Sequence, residues 1–212
     1  MNVAIFGASG RTGQLLTSRC LAEQYQVAAL VRSPATFPFR ARVRIVPGDA
    51  FNASAIRQTM QGADVVLSAL GARSWRREDV LERAVPLIVT AMQQAGVRRI
   101  IALGSAGALP DSLDKQPAWQ RWFVQKIVYN TFLKWPVESQ RAQWKLLAAS
   151  GLDFTMVMPP MLLDAPARGN LRIDGAALPR GASRISREDV ADFMMDQIAS
   201  PDWVGKGVYI AW

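Results

Sequence analysis

Histidine is absent from this 212-residue chain, and cysteine occurs once, at Cys20. Without histidine there is no Ser-His-Asp triad, no imidazole general base and no His-bearing zinc site. One cysteine excludes a disulfide scaffold and a thiolate metal cluster, so no metal is expected. Acidic side chains are also few, 17 against 25 basic ones, which leaves a formal charge of +8. Long apolar runs are missing: no uncharged stretch reaches the roughly 18 residues that a membrane-spanning helix needs. The opening run Asn2-Val3-Ala4-Ile5-Phe6 is too short for a signal-peptide core, and glycines follow it at once. Together with the single cysteine, this makes the cytoplasm the expected location. Any chemistry must rest on hydroxyls, carboxylates, Lys, Arg or a borrowed cofactor.

What is present is a globular composition. Half the residues are hydrophobic, which excludes a disordered chain, and the length suits one domain over 1–212. Of the basic residues 20 are Arg, and they are scattered along the chain. A nucleic-acid binder concentrates such charge on one element, so no specific nucleic-acid partner is expected. The planar guanidinium fork suits phosphate, and an anionic cofactor explains the arginines as well as an anionic polymer does.

Short apolar runs alternate with longer helix-like segments. Strands are expected at Val3–Phe6, Val27–Val31, Val43–Val46, Asp64–Leu70, Arg99–Leu103, Leu171–Ile173, Phe154–Met158 and Val208–Ala211. Helices are expected at Thr12–Gln24, Asn52–Met60, Arg77–Ala95 (closed by Gly96) and Ser186–Ser200. Strands apolar on both faces belong in a parallel sheet covered by helices. The expected fold is therefore α/β, a doubly wound Rossmann-type parallel sheet. A small C-terminal substrate lobe is expected from about 159–185 and 205–212.

The strongest motif is Gly7-Ala8-Ser9-Gly10-Arg11-Thr12-Gly13, which leaves a strand and opens a helix. That is the context a dinucleotide fingerprint requires. Gly7 permits the turn, Gly10 lets a pyrophosphate approach the backbone, and Gly13 lets helix and strand pack closely. Free N–H groups at the helix start favour phosphate. NAD-binding proteins place an acid after the second strand to hold the ribose. Here Arg32-Ser33 follows it, with no carboxylate. Arg32 and Arg11 suit a 2′-phosphate, so NADP(H) is favoured over NAD(H).

Further segments recur in order: LVR at 30–32, GDAFN at 48–52, SALGAR at 68–73, LGSAGAL at 103–109, SGLDFTMVMPP at 150–160 and ISREDVADFM at 185–194. With the glycine loop they resemble the atypical short-chain dehydrogenases of the NmrA-like, NAD(P)H-binding type, in the branch of biliverdin reductase B, or flavin reductase. The resemblance implies that Asp49 and Ala50 contact the adenine. It implies that Leu70, Gly71 and Arg73 run along the cofactor's phosphates and ribose. By the same likeness Ser105 is the active-site serine beside the nicotinamide, and Pro159 and Pro160 line the pocket.

Two departures shape the functional expectation. The Tyr-x-x-x-Lys pair of ordinary short-chain dehydrogenases is absent, since Tyr129 has Leu133 four places on and Lys134 one place too far. Met161 stands where the bilin-reducing relative has histidine, which favours flavin or quinone as substrate over a bilin. The expected activity is an NADPH-dependent reductase acting on a small planar acceptor. The alternative is an NADP(H)-binding redox sensor without turnover. Met161, Trp119 and Trp122 offer soft or aromatic surfaces to such an acceptor. The stretch 118–135 is apolar nearly all round and is expected to be buried. Packing over the sheet edge or pocket, a homodimer interface and a membrane-surface contact are its three readings.

Overall fold

The computed structural model describes residues 1–71 and 77–212. Its frame is an eight-stranded sheet in the order β3-β2-β1-β4-β5-β6-β10-β8. The strands are β1 Asn2–Phe6, β2 Gln26–Val31, β3 Arg44–Pro47, β4 Val65–Ser68, β5 Arg99–Leu103, β6 Asp153–Met158, β8 Arg172–Asp174 and β10 Lys206–Ala211. Each pairs in parallel except β8, which runs antiparallel to β10. The connecting helices are α1 Arg11–Ala22, α2 Ala53–Met60, α3 Val80–Ala95, α4 Ala118–Phe123, α5 Lys134–Ala148 and α6 Arg187–Asp196.

The two-residue period of the strands splits the core into two layers. On β1, Ala4 and Phe6 face a cluster that takes in Ile56, Met60, Leu81, Ile88, Met92 and Leu147 of α2, α3 and α5. Val3 and Ile5 face the other cluster, with Leu16 and Cys20 of α1 and Val190 and Met194 of α6. Every one of these side chains is buried. This is the doubly wound arrangement expected from strands apolar on both faces. The chain order reverses between β1, which continues to β2, and β4, which leads on to β5. A crevice at such a switch point, beyond the carboxyl ends of the strands, is where this fold places ligands.

Helix ends follow local chemistry. Asn52 caps α2 by accepting from Ala55 N at 3.0 Å. Ser186 caps α6 by accepting from Asp189 N at 2.9 Å. Gly96 closes α3 in the left-handed region, with φ of 71°.

The structure departs from the sequence reading mainly after β5. The final strand, β10, is part of the central sheet rather than of a lobe. What stands outside that sheet is a two-stranded parallel pair, β7 Met161–Leu163 with β9 Arg184–Ser186. Helix α5 had no sequence signal; its Pro136 lies in the first turn, where a missing N–H costs nothing. Between α4 and α5 the backbone widens into a π-helical segment, Val124–Phe132, a geometry that is rare and marks functional sites often.

Within the single chain, four of the large apolar side chains of 118–135 are not buried. Trp119 is 73% exposed, Trp122 60%, Phe123 49% and Ile127 38%. Trp119, Trp122 and Phe123 all lie on α4, and no described residue of the chain covers them.

Candidate cofactor and active site

The carboxyl end of each parallel strand from β1 to β6 delivers one predicted site segment to the same edge. From β1 comes the glycine loop, and from β2 and β3 come Arg32 and Asp49-Ala50. Leu70-Gly71 follows β4, Ser105 follows β5, and Pro159-Pro160-Met161 follows β6.

The loop after β1 is shaped by close backbone contacts. Gly7 has φ of +80°, and a Cβ there would stand 2.6 Å from Ala69 O at the end of β4. A Cβ on Gly13 would lie 2.1 Å from Gly7 O, so only glycine lets α1 pack this tightly on the turn. Gly10 differs: the one heavy atom near its Cβ position is Gly7 O at 3.3 Å. Its outer side is open, as an approaching phosphate requires. Gly10 is also the N-cap of α1; no side chain caps the helix and its first turn holds no acid. The first intrahelical bond runs from Gln14 N to Gly10 O at 2.9 Å. The amides of Arg11, Thr12 and Gly13 therefore precede the helical ladder, and Thr12 is buried beneath the loop. A cradle without Cβ, capped by free N–H groups, fits a pyrophosphate.

The arginines stand as follows. Arg32 is the first residue beyond β2, exposed, and has no carboxylate partner among the described residues. Arg11 reaches across the edge, donating to Asp164 Oδ2 at 2.5 Å, while Arg187 donates to Asp164 Oδ1 at 2.7 Å. Asp164 follows β7, so this bridge joins the glycine loop to the two-stranded pair. A groove of about 540 Å³ lies along it, lined by Gln14, Ser18, Phe39 and Glu188 as well as by the bridge itself. Exposed pairs of this kind contribute little, and a phosphate dianion competes well for Arg11. Asp49 forms a turn, accepting from Phe51 N at 2.8 Å, and remains exposed; Ala50 is half-buried. Leu70 and Gly71 are half-buried at the end of β4, and a Cβ on Gly71 would meet nothing. Ser9 is exposed on the glycine loop, its carbonyl accepting from Gln14 Nε2 at 3.1 Å. Arg73 lies outside the described residues.

Ser105 and the proline pair are brought together. Gly104 N donates to Val157 O at 2.7 Å, and Ala106 N donates to Pro159 O at 2.9 Å. Ser105 sits between those two bonds, half-buried, with Oγ accepting from Gly107 N at 3.4 Å. Its O–H is uncommitted among the described residues. Pro159 is buried and Pro160 half-buried, while Met161 is 59% exposed at the start of β7. Trp119 and Trp122 are exposed on α4, and neither lines the groove beside Asp164 or the cavity around Tyr129.

Sequence reasoning did not foresee the position of Tyr129. Its ring lies against Gly107, where a Cβ would come within 3.1 Å of it. Burial raises its phenol pKa, and the neighbouring Ser112 offsets part of that rise. Lys134 Nζ lies over the Trp135 ring at 4.9 Å. Cys20 is no nucleophile: burial pushes its thiol up to about 12. Among the described residues no cluster of His, Cys, Asp or Glu could hold a metal. Likewise, no described helix is long and apolar enough to cross a membrane.

Comparison with known proteins supplies the context. Residues 7–201 match the family model for NAD(P)H-binding proteins. Over 106 residues the chain is 31% identical to an uncharacterized protein of Mycobacterium bovis and to one of Mycobacterium tuberculosis. The match takes in half of this chain and 12% of those much longer proteins. Among solved structures, a wide-type short-chain dehydrogenase/reductase of Veillonella parvula in complex with NADP superposes with a TM-score of 0.80, at 21% identity, covering 100% of this chain and 94% of that one. The anaerobilin reductase ChuY of Escherichia coli O157:H7 gives 0.79 at 22% identity, covering 100% and 97%. A Streptococcus pneumoniae protein assigned as an NADH-flavin reductase gives 0.75 at 21%, covering 100% and 99%. At these identities the structures share the fold.

Proposed function

The chain belongs to the NAD(P)H-binding family, and from that premise we propose that it is an NADPH-dependent reductase passing hydride to a flavin, quinone or similar planar acceptor. The observation that carries this reading is the glycine loop. It combines an open Gly10, an uncapped α1 that starts at Arg11, and Arg32 directly after β2, with no carboxylate there. Three fold neighbours named for NADP binding, bilin reduction and flavin reduction support the same class.

Bound NADPH would supply the hydride. The protein's part is to position and to exclude. The amides of Arg11, Thr12 and Gly13 hold the pyrophosphate, and Arg32 and Arg11 select the 2′-phosphate. Ser105, fixed between β5 and the Pro159 turn, offers an O–H where the nicotinamide end would lie. Pro159 and Pro160 give that pocket a stiff wall. Flavin and quinone reduction asks for no buried acid, because orientation does most of the work and water can deliver the proton. A site without a Tyr/Lys pair meets that requirement.

The test follows absorbance at 340 nm with NADPH and a panel of FMN, riboflavin and quinones. Acceptor-dependent loss of NADPH is expected. Tight NADPH binding with no turnover across the panel would overturn the reductase reading in favour of a redox sensor. That second reading is favoured by one observation, the absence of a lysine four residues after Tyr129.

A further inference from the structure

A second cavity of about 270 Å³, which the cofactor reading leaves unused, lies against Leu109, Pro110 and Ser112. It opens between the turns at 106–113 and the π-helical segment, and Ser112, Gln125, Lys126, Tyr129 and Arg141 line it. We propose that this cavity is an anion subsite that holds a carboxylate or phosphate carried by the acceptor. The proposal rests on the reductase reading for the identity of the ligand, and on the cavity's own chemistry for its charge.

Four features point to an anion. Lys126 and Arg141 both line the cavity, and neither pairs with a carboxylate among the described residues. Arg141 makes a single long bond, from Nε to Ala108 O at 3.4 Å, which leaves its terminal nitrogens for a ligand. The Ser112 hydroxyl, in a residue only 1% exposed, has no partner of hydrogen-bonding geometry. Tyr129 brings a second hydroxyl to the same lining and makes no bond of normal geometry to Ser112. A buried hydroxyl left unmade is costly, and an acceptor oxygen entering the cavity would relieve it. Nearby acids are engaged elsewhere or face outward. Asp114 pairs with Arg121 at 3.6 Å, Asp174 pairs with Lys115, and Asp111 is exposed and lines no part of the cavity.

The cavity is also placed for a substrate rather than for an isolated ion. Arg141 is bonded to the turn that begins at Ser105, and Tyr129 covers Gly107 two residues beyond it. An acceptor with its ring at Ser105 would direct a short charged tail into the cavity. Uncharged analogues would forfeit the charge-assisted bonds, a loss of about 10-fold in affinity for one such contact.

Fluorescence titration of the intact protein with FMN and riboflavin reads the phosphate arm. A naphthoquinone with a carboxylate side chain, set against its methyl ester, reads the carboxylate arm. We expect the charged member of at least one pair to bind about 10-fold tighter, the arm identifying which anion is carried. That ratio should shrink toward one in Lys126→Ala and Arg141→Gln, recover in Arg141→Lys, and shrink with added salt. Lys126 is exposed, so its variant folds even if Arg141→Gln disturbs the turn. Ratios near one for both pairs in the native protein, or ratios unchanged by both variants, would overturn the subsite. A charge preference without NADPH oxidation would support the subsite while removing the reductase reading.

Discussion

The two halves of the site edge are built by different means. From β1 to β4 the backbone does the work: close approaches at Gly7 and Gly13 set the loop, and the first amides of α1 are left uncapped. From β5 onward side chains do it, on 3-10 turns, a π-helical segment and a small second sheet. Backbone recognition tolerates few residues and so leaves a readable motif. Side-chain recognition on irregular backbone leaves almost none.

The sharpest way to break the comparison is to crowd the backbone half. In Gly13→Val a side chain would meet Gly7 O at 2.1 Å and Ala8 Cα at 2.8 Å. Relief requires backbone movement, so we expect a loss of about 3 kcal/mol or more, with NADPH binding abolished. Thermal melting and a nucleotide titration check both.

Asp189 tests the other half. It is buried and accepts from Arg168 N, Gly169 N, the Ser186 hydroxyl and Trp212 Nε1, tying the 165–170 loop to the last residue. Burial alone would raise its pKa, but the donors outweigh it and hold the carboxyl below its usual range. Its stability share is complete above the ordinary aspartate value and is lost as pH falls through the lowered folded-state value. Asp189→Ala should cost about 2–3 kcal/mol at neutral pH and flatten the acid limb of a stability-versus-pH curve.

Asp164→Asn sharpens the junction between the halves. It releases Arg11 from a bridge that is exposed and individually weak. NADPH affinity should rise about 2- to 5-fold, with melting nearly unchanged. The smallest effect is expected from Trp119→Ser, Trp122→Ser and Phe123→Ser combined. These side chains are exposed, so stability should move by about 0.5 kcal/mol or less in denaturant unfolding. A large loss would mean that another chain covers this face.

Much of the fold was legible, because strands apolar on both faces and a glycine loop at a strand-helix junction allow few alternatives. Arg99–Leu103 and the caps at Gly96 and Ser186 followed from local chemistry. The pairs that meet only through the tertiary fold were not legible. Asp164 and Arg11 are 153 residues apart in sequence, and Ser112 meets Tyr129 across an irregular segment. Strands β7 and β9 have three residues each, too few to show a period. The aromatic segment misled because an apolar surface was taken to imply burial within the chain, whereas Trp119, Trp122 and Phe123 of α4 are exposed.

The central claim is that this edge binds NADPH through the glycine loop and reads its 2′-phosphate with arginine. Calorimetric titration of the protein with NADPH and NADH, repeated on Arg32→Glu, tests it most directly. NADPH should bind the native chain about 10- to 100-fold tighter than NADH, and Arg32→Glu should erase that preference while leaving NADH binding largely intact. Equal affinity for the two nucleotides, or a preference untouched by Arg32→Glu, would contradict the account.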